Sequence, residues 1–70
     1  MVVAPMDLRG LPAPEPMLRL LERIAESDGP HVFLLPFAPT PILPLLESYG
    51  WDVETRTLGD AVEVTLVRSP

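Results

Sequence analysis

The residue types with the most chemical potential are gathered in one stretch, Asp7-Leu8-Arg9-Gly10-Leu11-Pro12-Ala13-Pro14-Glu15-Pro16-Met17. It reads as the end of a strand passing through a proline-studded turn into a helix. A helix start can bind an anion through its free N–H groups. Here Pro14 and Pro16 remove two donors and Glu15 sets a negative charge where the ligand would go, so an anion would depend on Arg9 or Arg19. Covalent catalysis needs a nucleophile, and residues 7 to 17 contain no Ser, Thr, Lys, Tyr or Cys. Asp7 and Arg9 are expected to tie the turn together while the prolines set its path.

Elsewhere the chemistry is sparse. His31 is the single histidine and has no second ligand identifiable beside it, so a hydrogen-bonded or solvent-facing ring is expected rather than a metal ligand. Asp52 and Glu54 lie two apart on a strand and share its polar face, whereas paired catalytic carboxylates require a cleft. With no cysteine and one histidine, thiolate metal sites, disulfides and a zinc cage are excluded, and no cofactor is expected.

A net charge of -5, with five scattered arginines as the only basic residues, provides no stripe for phosphates, so nucleic acid is excluded as a partner. Apolar runs are broken by proline well short of the ~20 residues a membrane span needs, and the first residues show no basic region followed by an apolar segment. These features predict a soluble, cytoplasmic chain. Lysine, asparagine, glutamine and cysteine are absent and proline appears ten times, which is compatible with a thermophile, but hyperthermophiles usually gain lysine, so the all-arginine choice points rather to nucleotide composition.

Seventy residues allow one domain, residues 1–70, with a thin two-layer core. Val2 to Leu8 predicts a short first strand, with Pro5 confined to an edge or strand start. From Met17, apolar residues at 17, 20, 21 and 24 mark one helical face, which Leu18 and Ala25 widen. Ser27-Asp28-Gly29-Pro30 stops that helix. His31 to Leu35 predicts a second strand parallel to the first, joined to it by a right-handed crossover. Thr40 before Pro41 resembles an N-cap of a second helix carrying Ile42, Leu45, Leu46 and Tyr49, with Gly50 at its end and Pro44 delaying regular helix to residue 43 or 44. Alternation from Trp51 to Thr57 and from Val62 to Leu66, around Leu58-Gly59-Asp60, predicts an antiparallel hairpin. The expected fold is α+β: β-α-β-α-β-β, a four-stranded mixed sheet with two helices on one face.

This order, with Asp7-x-x-Gly10-Leu11-x-Ala13-Pro14-x-Pro16 at the first strand-to-helix junction, resembles the TusA/SirA/YedF sulfur-carrier family over nearly the whole chain. Closer still is a TusA-like group of uncharacterised domains with Asp-x-Arg-Gly-Leu and Pro-Glu-Pro-Met, matched by Asp7, Arg9, Gly10, Leu11 and Pro14 to Met17. A second signature of that group is matched by Pro39, Pro41, Ile42 and Tyr49-Gly50-Trp51, while Phe37 stands where some members carry a histidine. The resemblance places Ala13 at the family's cysteine. In the sulfur carriers the positive end of the helix dipole favours the thiolate of that cysteine, and Ala13 has no such atom.

The resemblance therefore implies a scaffold kept without its nucleophile: a non-catalytic module for protein interaction or small-ligand binding. Its expected contact surface comprises Arg9, Gly10, Pro14, Glu15, Pro16 and Phe37, on two turns at related ends of the sheet. Phe37 either tucks under a helix or faces a partner. The uncovered sheet face could pair with another copy, and alternation alone leaves open which of Thr55, Thr57, Glu63 and Thr65 it carries. The alternatives are an accessory of sulfur transfer, or a cofactor-associated domain in respiratory or nitrogen-oxide metabolism.

Overall fold

The computed structural model describes residues 4–69. The elements follow the expected order: β1 (Met6–Asp7), α1 (Glu15–Glu26), β2 (His31–Leu35), a 3-10 turn (Thr40–Ile42), α2 (Leu43–Ser48), β3 (Trp51–Leu58) and β4 (Ala61–Arg68). The sheet order is β1-β2-β4-β3. β1 pairs parallel with β2, which completes a βαβ unit, and β4 runs antiparallel to both of its neighbours.

β1 is shorter than expected, and Val2 and Val3 lie outside the described residues. Pro5 has no N–H to give to a ladder, and the described pairing begins at Met6 opposite Phe33. It continues one residue past β1, where the Leu8 N–H donates to the Leu34 carbonyl at 2.9 Å. The strand thus has just enough length to aim the following turn.

Leu20 of α1 and Leu46 of α2 join one buried cluster with Leu8, Phe33, Leu35, Trp51, Val64 and Leu66. Both helices therefore cover the same sheet face, and the β2 burial pattern, buried at 31, 33 and 35, reports that face directly. Register carries it across the sheet: His31 pairs with Leu66, Phe33 with Val64 and Leu35 with Val62. Partners across a ladder project to the same side, so Glu63 and Thr65 belong to the open face and Thr55 and Thr57 to the helix side. Asp52 and Glu54 share the open face, as their spacing predicts.

Three local expectations need correction. Leu18 and Ala25 do not widen the buried stripe of α1: both are exposed, and burial narrows to Pro16 and Leu20, with Met17, Leu21 and Ile24 half-buried. Thr40 makes no side-chain cap; it opens a 3-10 turn in which the Ile42 N–H donates to the Pro39 carbonyl at 3.1 Å. The stripe Ile42, Leu45, Leu46 and Tyr49 also splits, leaving Leu46 buried and Leu45 and Tyr49 exposed. Ile42 and Leu46, four apart, stay on the core side, whereas Leu45 and Tyr49, also four apart, lie about 100° round the helix and face out. Regular helix does start at Leu43, with Pro44 in its first turn and Gly50 just beyond its end at φ +90°.

Candidate functional site

Parallel pairing of β1 and β2 sends the 7–17 and 36–41 turns out of the same end of the sheet. The β3–β4 turn joins them there, since Leu35 stands opposite Val62. At this end Arg9 clamps Asp7: its Nε donates to Oδ1 and its Nη2 to Oδ2, both at 2.9 Å, while the Arg9 backbone N–H also donates to Oδ1 at 3.0 Å. These bonds, led by the side-chain one, lower the Asp7 carboxyl from 3.8 to about 2 and raise the Arg9 guanidinium, to which the Asp60 charge adds. The clamp is exposed and local, and it ties the turn as expected.

Asp7 has a lowered folded pKa, so the clamp's contribution is present above the unfolded value near 3.8 and is lost as pH falls through about 2. NMR titration of the Asp7 side chain should give a midpoint near 2. A midpoint near 3.8 would dissolve the clamp.

The start of α1 holds no free donor for an anion. Glu15 N–H donates to the Pro12 carbonyl at 2.9 Å, Pro16 has none, and Met17 and Leu18 both donate to the Pro14 carbonyl at 3.1 and 3.2 Å. Glu15 itself is paired with Arg19 at 3.4 Å. With no nucleophilic side chain in residues 7 to 17 either, the junction offers no group for covalent catalysis.

Of the expected contact residues, Arg9, Gly10, Pro14 and Phe37 are exposed and Glu15 is partly so, but Pro16 must be withdrawn. Its ring is fully buried beneath the first turn of α1, where it packs as core and cannot meet a partner. Phe37 is 41% exposed, which resolves its two alternatives towards the surface. Its neighbour Pro39 is buried and anchors the turn.

The better-formed concavity lies at the opposite end of the sheet. A groove of about 350 Å³ is lined by Leu21, Ile24 and Ala25 of α1, Tyr49, Trp51 and Arg68. Trp51 is buried and sits opposite Arg68 in the β3–β4 register. The guanidinium lies over the indole with Cζ 4.6 Å from the ring centroid, while Nη1 donates to the Tyr49 carbonyl at 2.7 Å and Nε lies 3.4 Å from Asp28 Oδ1. Behind the indole, His31 is buried, tilted against Trp51 at 5.5 Å and stacked on Phe33 at 6.0 Å. Its Nε2 is 3.0 Å from the Ser27 carbonyl, which can only accept, so Nε2 carries a proton and donates. His31 is thus hydrogen-bonded, and it braces the groove floor.

The sequence places Trp51 on a hairpin strand and in the Tyr49-Gly50-Trp51 signature and gives Arg68 no role. Counting back from the Gly59-Asp60 turn places residue 51 opposite residue 68, so hairpin register carried the missing signal. Among the described residues no group of three or more His, Cys, Asp or Glu side chains could hold a metal ion. None of the described helices is long and apolar enough to cross a membrane.

Compared with protein-family models, with curated proteins and with solved structures, the chain matches none.

Proposed function

We propose that this chain is a non-catalytic TusA-like binding module whose ligand is an apolar group bearing a carboxylate, held in the groove beside Trp51. One observation carries the reading: an apolar groove rimmed by a guanidinium whose carboxylate partner, Asp28, is 84% exposed on its side chain and readily exchanged. Its volume sits at the small end of ligand sites. Leu21, Ile24 and Ala25 would take the apolar body beside the edge of the indole, and Arg68 would exchange Asp28 for the ligand's carboxylate, with its rim position fixed by the Tyr49 carbonyl. The motif junction, stripped of thiol and donors, serves here as scaffold.

Trp51 is the sole tryptophan, so its fluorescence reports on the groove without a label. Octanoate should shift that emission saturably, and octanol of the same chain length should bind about tenfold more weakly, the size of one charge-assisted hydrogen bond. Arg68→Gln should abolish that preference while leaving octanol binding in place. Equal affinity for the two probes, or no response to either, would refute the reading.

A further inference from the structure

The two edges of the sheet are unlike. β1 exposes two residues preceded by Pro5, which is a guarded edge, whereas β3 exposes an eight-residue edge with no proline or glycine within it. The turn of Gly59 and Asp60 fixes how that edge is presented. Gly59 has φ +63° and Asp60 does not share the positive value, the pattern of a type II′ hairpin turn, so Leu58 and Ala61 form a hydrogen-bonded pair. Alternation then directs the N–H and C=O groups of residues 52, 54, 56 and 58 towards β4. Those of Val53, Thr55 and Thr57 point out of the sheet.

Unpaired backbone groups of this kind are a template for another strand, and the side chains of β3 select which strand. In a two-fold antiparallel pairing centred on Thr55, Glu54 of each chain stands opposite Arg56 of the other. Moving the centre to Val53 sets Asp52 against Glu54, and moving it to Thr57 sets Glu54 against Asp60, like charges in both cases. The Thr55 register also matches outward-pointing residues with one another, giving about six backbone hydrogen bonds around the axis. It places Glu54 and Arg56 at a non-hydrogen-bonded pair, where facing side chains approach most closely. Glu54 has no ion-pair partner among the described residues, and Arg56, paired with Glu63 at 3.2 Å, is 68% exposed on its side chain and open to a second carboxylate.

We infer that the chain associates with a second copy of itself through the β3 edge, antiparallel about Thr55, joining two four-stranded sheets into one. Charged residues on an edge strand usually deter pairing; here their order is self-complementary, so they deter other strands and admit this one. The inference is independent of the groove beside Trp51, which lies on the helix side.

Sedimentation at about 0.15 M salt, where distant charges are screened, should show the mass rising towards twice that of one chain between about 10 µM and 1 mM, the range of a small interface. Glu54→Arg alone and Arg56→Glu alone should each stay single, because each sets like charges across the axis. An equimolar mixture of the two should pair, since one chain then offers two arginines and the other two glutamates at 54 and 56. Circular dichroism checks that both variants are folded. Hydrogen exchange of the wild type supplies the second readout: amides of Val53, Thr55 and Thr57 should slow about tenfold or more as concentration rises. A wild type that stays single, a mixture that does not pair while both variants are folded, or association without slowing at these three amides would overturn the inference. The last outcome would move the contact to the open face.

Discussion

Phe33→Ala is expected to remove roughly half of the chain's folding stability, while Phe37→Ala leaves it almost untouched. Phe33 is 1% exposed, lies at the middle of β2 between Met6 and Val64, and supports the His31 ring. Truncating a buried phenylalanine costs about 3–5 kcal/mol, because the transfer term is joined by the cavity left behind. A chain of this length has a total stability of roughly 4–10 kcal/mol at ordinary per-residue values. Little slack exists to absorb that loss, since Met6 comes from a two-residue strand and Val64 is held in register on both sides. Phe37, on the surface, should cost less than about 1 kcal/mol. Urea unfolding of the pair, followed by Trp51 emission, checks both. A loss below about 1 kcal/mol for Phe33→Ala would show that the core collapses around the gap, contrary to close packing.

The contrast between these two phenylalanines also marks what the sequence could show. Phe33 lies in an unbroken apolar run between two prolines, and length with periodicity suffices to make that a central strand. The hairpin was legible for the same reason, because alternation and a Gly-Asp turn specify both strands and their register. Burial along α2 was not legible, since Leu45, Leu46 and Tyr49 span more than one face of a six-residue helix, and which face docks on the sheet is set by packing rather than by the spacing of leucines. Pro16 was misplaced for a related reason: a proline in a first turn reads as a helix signal, and nothing local says which way its ring packs. The groove is not legible because its lining comes from three segments far apart in sequence, none of which carries a local signature of a cavity. Local physics specified the elements; meeting at the groove depends on how they dock.

The glycine outside the motif should matter far more than the glycine within it. Gly10 belongs to the Asp-x-Arg-Gly-Leu run, yet a Cβ added there would meet nothing within 4 Å and its φ is not positive. Gly10→Ala should therefore be neutral or stabilising by up to about 1 kcal/mol, through a less flexible unfolded chain. Gly29 has φ +76°, and a Cβ would fall 3.0 Å from His31 Cδ2, 3.1 Å from the His31 backbone nitrogen and 3.3 Å from Trp51 Cζ3. The left-handed conformation alone costs an alanine about 1–2 kcal/mol. Contacts against a backbone atom and a buried ring cannot be relieved by a flexible chain end, so the expected loss for Gly29→Ala is about 2–4 kcal/mol. Relief would come from moving His31 and the indole it braces, which ties this position to the groove floor. The signature is a fall in thermal midpoint accompanied by altered near-ultraviolet dichroism of Trp51 in the protein that remains folded. A midpoint within about 3 °C of wild type, less than 1 kcal/mol for a domain of this size, would mean that the turn before β2 yields without disturbing His31. Gly29 would then be only a helix terminator, as the bare sequence suggests, and the groove would lose its rigid floor.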